Sequence, residues 1–360
     1  MRINELTLIN YKNLDSESFV FKSSINCFVG YNGVGKSNIL DSIYHLAFGK
    51  SYFNPTSVQN IKFDKSFFVL EGSFKIKSRV EKINCSFKKG QKKILKRNNK
   101  VYSKISDHIG LIPLVMISPD DIDLINEGSV YRRKFIDSIL GQIHQNYLVD
   151  LISYNKVLNQ RNSLLKYFAF NHTYDQKTID IYNDQLQSLS LPIFEKRKNF
   201  METFSPLFEK RYKALNRNAE KVEISYISAL KKNSLLELLN ESLNRDKSFQ
   251  YTTQGIHKDD LDFLIHGKPI KKFGSQGQKK TFLIALKIAQ FDYLRKEKGL
   301  SPIILLDDIF DKLDQHRVTS LLKLMIEEGF GQIFITDTHE QRTLDALKSV
   351  KSDFEIFKII

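Results

Sequence analysis

The chain has 360 residues, 55 of them Lys or Arg against 41 Asp or Glu, giving a formal net charge of +14, with 27% charged and 41% hydrophobic residues. That balance excludes a disordered chain, and its two cysteines, Cys27 and Cys85, cannot supply the disulfide framework of a secreted protein. No apolar run approaches the roughly 18–20 residues needed to cross a bilayer, and the basic excess points to nucleic acid or an anionic surface while saying nothing of fold.

Met1–Leu14 alternates apolar and polar residues like a strand and lacks the apolar stretch of a signal peptide, so a cytoplasmic location is expected. A short apolar run at Ile25–Val29 precedes a helix from about Ser37, whose stripe of Ile39, Leu40, Ile43, Leu46 and Ala47 fits a 3.6-residue period. Alternating runs over Phe67–Ile76 and Val80–Phe87 predict a hairpin, and residues 110–118 a buried strand. From Tyr131 to about Leu215 apolar residues recur at helical spacing, with Pro192 and Pro206 expected to mark turns. Beyond Gly255 the pattern returns to helix (Lys279–Leu294), strand (Pro302–Leu306), helix (Val318–Glu328) and strand (Gln332–Thr336). The expected fold class is therefore α/β: a mixed β/α core assembled from both chain ends, residues 1–126 and 250–360, with a helical arm over 127–249 inserted. Two domains also suit the length.

One segment carries the most chemistry. Gly30-Tyr31-Asn32-Gly33-Val34-Gly35-Lys36-Ser37 is a complete G-x-x-x-x-G-K-[ST] match between a predicted strand and a predicted helix that continues through Asn38. Glycines let backbone N–H groups close around phosphate oxygens where a Cβ would clash, and the helix adds its N-terminal dipole. Lys36 is placed to reach the β- and γ-phosphates of ATP, and the Ser37 hydroxyl suits Mg²⁺. A second strand, Pro302–Leu306, ends in Asp307 and Asp308. Acids at the C-terminal edge of a parallel sheet face the ligand crevice, so Asp307 is expected to complete the Mg²⁺ shell and Asp308 to orient or deprotonate a water. A solvated pair of acids capping a strand is the plain alternative. Scattered histidines and isolated cysteines give no other metal or nucleophile pattern.

About 30 residues ahead of that strand lies Ser275-Gln276-Gly277-Gln278, which alone reads as a loop and helix cap. The order of these three segments resembles an ABC-type ATPase head: P-loop, signature loop, Walker B strand. Within that superfamily, GYNGVGKSNILDSIYHL, SPDDIDLINEGSVYRRKFID, GIHKDDLDFLIHGK, GSQGQKKTFLIALKIA and LLDDIFDKLD together resemble the RecF family across essentially the whole chain. The resemblance implies an ATP-dependent homodimer in which Ser275, Gln276, Gly277 and Gln278 cap the triphosphate held by a second copy, with the D-loop acids Asp311 and Asp314 at the seam. It further implies a weak, DNA-stimulated ATPase acting as a switch, and work with RecR and RecO in loading RecA at single-strand gaps. Asp308, one methylene shorter than the Glu of fast ABC ATPases, predicts slow turnover. Two residues depart from the family's Gly-Pro-His-Arg-Asp-Asp box, Ile256 and Lys258, and His339 falls about two residues past a switch position, which makes it a surface histidine. The runner-up is another ABC/SMC-like chromosome-maintenance ATPase head, which calls for a far longer coiled-coil insertion; a transporter ATPase subunit, further behind, calls for a signature nearer Leu-Ser-Gly-Gly-Gln and a Glu after the Walker B Asp.

Eight basic residues without an acid lie between Lys88 and Lys104, including Lys88, Lys89, Lys92, Lys93, Lys96, Arg97 and Lys100. A strand ribbon bearing dispersed cations suits duplex phosphates without sequence readout; the alternative is a solvated basic face.

Overall fold

A five-stranded, wholly parallel sheet positions the P-loop and the paired acids. The computed structural model describes residues 1–216, 220–308, 315–348 and 352–360; Asp311 and Asp314 lie outside the described residues. Two compact units emerge: Met1–Asp121 with Ile284–Ile360, and Ile122–Leu283.

In the first unit, β1 (Arg2–Tyr11), β2 (Leu14–Val20), β4 (Phe67–Ile76), β5 (Arg79–Lys88), β6 (Ile94–Arg97) and β7 (Lys100–Val101) form an antiparallel sheet in the order β2-β1-β4-β5-β6-β7. The parallel sheet is built from β3 (Ile25–Val29), β8 (Leu114–Ile117), β12 (Ile303–Leu306), β13 (Ile333–Asp337) and β14 (Phe354–Lys358), ordered β14-β3-β13-β12-β8. Every residue of β3, β8, β12 and β13 is buried, as expected for strands covered on both faces and written as unbroken apolar runs. Helix α1 (Lys36–Phe48) buries Ile39, Leu40, Ile43 and Leu46 in one core with Leu6 and Leu8 of β1, Phe68 and Leu70 of β4, and Phe28, Leu114, Leu305 and Phe334 of the parallel sheet. Phe21 meets Phe334 edge-to-face at 4.9 Å between ring centroids, part of a cluster with Phe19, Phe28 and Phe357.

The second unit holds α2 (Asp123–Asn126), α3 (Ser129–Ile143), α4 (Gln145–Asn171), α5 (Gln176–Leu215), α6 (Leu235–Glu241), α7 (Leu243–Phe249), α8 (Ile270–Phe273) and an antiparallel sheet in which β10 (Asp260–Ile265) lies between β9 (Val222–Ile227) and β11 (Lys268–Pro269). Because β10 pairs with β9 over six residue pairs, residues 250–283 fall with this unit, although their motifs suggested the first. Helix α9 (Gln276–Lys298) starts in the second unit and ends in the first, and α10 (Gln315–Glu327) and α11 (Glu340–Lys348) complete the first.

Pro192 and Pro206 do not mark turns: both lie inside the 40-residue α5. Each removes one N–H from the ladder and frees the carbonyl four residues back. Both prolines, and Ser188 and Glu202 four residues before them, lie on the exposed face of the helix, where a freed carbonyl is open to solvent. The opposite stripe, with Ile193, Phe200, Phe204 and Phe208, is buried and holds the helix continuous. On the same stripe the buried Arg197 donates to Asp259 and Asp137, both at 2.9 Å, and to the Ile256 carbonyl at 2.8 Å, which fixes the Ile256–Asp259 segment against α3 and α5. Among the described residues no helix is long and apolar enough to cross a membrane.

Candidate functional site

The P-loop leaves the C-terminal end of β3 and turns into α1 through two residues with left-handed backbone, Gly33 (φ +86°) and Gly35 (φ +110°). The left-handed backbone of Gly35 calls for glycine, and a Cβ there would sit 2.7 Å from Leu14 Cδ2 and 2.8 Å from Asn13 Oδ1, so both side chains would have to move. Asn13, in the β1–β2 turn, braces the loop: its Nδ2 donates to the Gly33 carbonyl at 2.9 Å and its Oδ1 accepts from Asn38 Nδ2 at 2.7 Å. Lys36 is buried, and its Nζ donates to the carbonyls of Gly30 and Tyr31, both at 2.9 Å. The ammonium is thus folded back over its own loop, while Tyr31, Asn32 and Gly33 remain exposed.

Strands β12 and β13 are neighbours, and β13 pairs with β3, so the ends of all three converge at one sheet edge. Asp307, on the end of β12, is 5% exposed. Burial pushes its carboxyl up to about 6, against hydrogen bonds from Ser37 and Thr336 and the attraction of Lys36; Asp308 next door adds to the rise. Thr336 Oγ donates to Asp307 Oδ1 at 2.8 Å and accepts the Asp308 N–H at 2.8 Å. Asp308 itself stands at φ +44°, a left-handed conformation that Asp tolerates better than most residues. The expected set of Lys36, Ser37, Asp307 and Asp308 is therefore gathered by three adjacent strands. His339 is exposed.

Beside the loop lies an open cavity of about 510 Å³ whose lining includes Asn13, Asn38, Asn54, Gln59, Lys62 and Phe63. Of these, Asn38 was expected as part of the phosphate loop, whereas Asn13, Asn54, Gln59, Lys62 and Phe63 belong to no recognisable motif and were missed. Phe63, a large apolar side chain between polar neighbours, is 86% exposed there.

In the second unit, Ser275 and Gln278 open α9 with a reciprocal cap. The Gln278 N–H donates to Ser275 Oγ at 3.2 Å, and the Ser275 N–H donates to Gln278 Oε1 at 2.7 Å. Ser275 and Gln276 are exposed, Gly277 and Gln278 half-buried.

The basic ribbon runs along β5, β6 and β7 of the antiparallel sheet. Lys88, Lys89, Lys92 and Lys100 are exposed, and Lys93 and Lys96 half-buried. Arg97 differs from the lysines: its Nε and Nη2 grip the two oxygens of buried Glu81 at 2.9 and 2.7 Å, a bidentate pair that ties β6 to β5 and holds the Glu81 carboxyl below its usual range.

Residues 2–355 match the family model described as the RecF/RecN/SMC N terminal domain. The DNA replication and repair protein RecF of Flavobacterium johnsoniae is 55% identical over 359 residues, covering all of both chains. That of Bacteroides thetaiotaomicron is 44% identical over 360 residues, covering all of this chain and 97% of the relative. Among solved structures, the recombination mediator protein RecF-ATPrS of the RecFOR pathway superposes with a TM-score of 0.90 at 31% identity, over 100% of this chain and 96% of the other. An Smc head bound to the C-winged helix domain of ScpA superposes at 0.55 with 16% identity, over 95% and 91% of the two chains, and shares the fold alone. With a P-loop and paired acids on one parallel sheet edge, an ABC-type head fold, and relatives this similar from end to end, the chain belongs to the RecF family.

Proposed function

We propose that this chain is an ATP-dependent DNA-binding protein of recombinational repair, a weak DNA-stimulated ATPase that works as a switch. The observation that carries the reading is the convergence of Lys36, Ser37, Asp307 and Asp308 at one sheet edge, with Thr336 holding both acids. ATP would lie with its phosphates in the cradle of Gly30–Asn38 and its nucleoside toward the cavity edged by Asn13, Asn38 and Phe63. Solved structures of RecF-ATP and RecF-ATPrS, each at a TM-score of 0.90, support this choice of nucleotide.

Ser37 and Asp307 are adjoining oxygen donors, a hard pair that fits Mg²⁺. They would hold the ion, which would offset the phosphate charge. Asp308, beside the buried Asp307, would orient the attacking water, and its short side chain supports turnover well below 10 s⁻¹, the order of the median enzyme. The family's signature order supports a homodimer in which Ser275–Gln278 caps the ATP of a second copy.

Slow hydrolysis would then release a clamp on duplex DNA near single-strand gaps, bound without sequence preference along Lys88–Lys100. Relatives placed in the RecFOR pathway support action with RecR and RecO, and through them on RecA. Sedimentation of the purified chain with ATP or ADP, with and without a gapped duplex and across a salt series, tests the whole proposal. Dimers that form with ATP and bind DNA with a steep salt dependence are the expected result. A chain that stays single in every nucleotide and ignores duplex at low salt overturns it.

A further inference from the structure

The amide of Gln278 is held from both ends. Its Oε1 accepts the Ser275 N–H at 2.7 Å, and its Nε2 donates to Glu220 Oε1 at 2.8 Å. Glu220 is itself set by donors on its other oxygen: Tyr212 Oη and, at 2.5 Å, Asn216 Nδ2 both donate to Oε2. These bonds hold its carboxyl below the usual range against the opposing effect of burial, which is the largest single influence. A carboxylate can only accept, so Glu220 permits one orientation of the Gln278 amide, nitrogen toward Glu220 and oxygen toward Ser275. That orientation completes the reciprocal cap, which takes up the N–H groups of Ser275 and Gln278 and leaves the first-turn amides of Gln276 and Gly277 to point out of the helix end.

We propose that Glu220 is a positioning residue for the signature loop. It acts through the Gln278 amide to set Ser275 and the first turn of α9 for the triphosphate of a second copy, and so governs ATP-driven dimerisation without touching nucleotide. The inference rests on the dimer reading given above. Its proton logic is specific. In Glu220→Gln the new amide turns its oxygen to Tyr212 and Asn216, its NH₂ meets Gln278, the Gln278 amide flips, and an N–H is then set against the Ser275 N–H.

The test compares ATP-dependent dimer formation by sedimentation with the affinity of the single chain for a fluorescent ATP analogue. Glu220→Gln and Gln278→Leu should each weaken dimerisation about tenfold, because a cap is lost in both copies, and Glu220→Gln should leave the nucleotide affinity of the single chain unchanged. Tyr212→Phe, which leaves Asn216 on Glu220 and the Gln278 amide in place, should dimerise like the unaltered chain. Wild-type dimerisation by Glu220→Gln or Gln278→Leu overturns the proposal, as does an equal loss in Tyr212→Phe, which would mean general loosening. Ser275→Arg separates the two readings. If that variant still dimerises with ATP, the dimer reading fails; if it does not while Glu220→Gln dimerises normally, only the role of Glu220 fails.

Discussion

Thr336 on β13 links to Asp307 at the end of β12 through one 2.8 Å hydrogen bond, and the same hydroxyl receives the Asp308 N–H at 2.8 Å. One side chain therefore sets both acids, using the parallel pairing of the two strands to bring its oxygen to their junction.

Thr336→Val keeps the shape and removes the hydroxyl. It leaves the Asp308 N–H without its acceptor, which costs about 1–3 kcal/mol when buried, and releases Asp307. ATP hydrolysis is expected to fall at least about tenfold with nucleotide affinity little changed, together with a lower unfolding temperature. A steady-state rate equal to that of the unaltered chain would sink the coupling of the two acids.

Asp308→Asn isolates charge from conformation. Asn tolerates φ +44° as well as Asp does, so the fold should survive while hydrolysis drops roughly a hundredfold, within the range of a positioned base. ATP-bound dimers should then persist. Hydrolysis at the original rate would remove Asp308 from the reaction.

Lys36→Arg keeps the positive charge but not its form. The ammonium sits 2.9 Å from both the Gly30 and Tyr31 carbonyls, a space made for a compact donor, and a planar guanidinium must displace part of the loop. Hydrolysis should be lost while nucleotide binding weakens less. DNA-stimulated turnover at the ordinary rate in this variant would contradict the assignment of the P-loop.

The basic ribbon can be separated by salt. Each phosphate contact contributes about 0.9 to the slope of log K against log salt on duplex DNA, so changing exposed Lys88, Lys89 and Lys92 to Ala together should lower the slope by about 2–3. Arg97→Ala should instead lower the unfolding temperature, since buried Glu81 loses its bidentate partner. An unchanged slope in the triple variant would take these lysines off the DNA surface.

Three buried histidines set the acid limit of stability. Burial lowers His45 to about 3, and His108 and His257 to about 4, from 6.5. The unfolded chain therefore binds protons that the folded one does not, and stability is full above pH 6.5 and falls as pH drops toward 4. At pH 5 the loss is about 2 kcal/mol for each histidine. Thermal unfolding between pH 7.5 and 5 should show a falling midpoint; a constant midpoint would mean the three are not buried as neutral rings.

Legibility in the sequence followed the range of the forces involved. The P-loop could be read because strand, glycines, Lys36 and helix are consecutive, and α1 because its apolar stripe is local. Pro192 and Pro206 misled because local propensity was outweighed by a buried stripe on the other side of α5, with water available to the freed carbonyls. Asn13, Asn54, Gln59 and Phe63 carry no motif, and only folding brings them beside the loop.

By itself the sequence determined the chemistry present and its order: a phosphate loop, an exposed helix cap and a strand ending in two acids, each defined by neighbours along the chain. Tertiary structure alone decided that Thr336 would hold both acids, that Arg97 would serve Glu81 more than solvent, and that Glu220 would orient Gln278. Those partners are 28 and 29, 16, and 58 residues apart, and hydrogen bonds between residues so separated follow from strand pairing and packing, which no local pattern encodes.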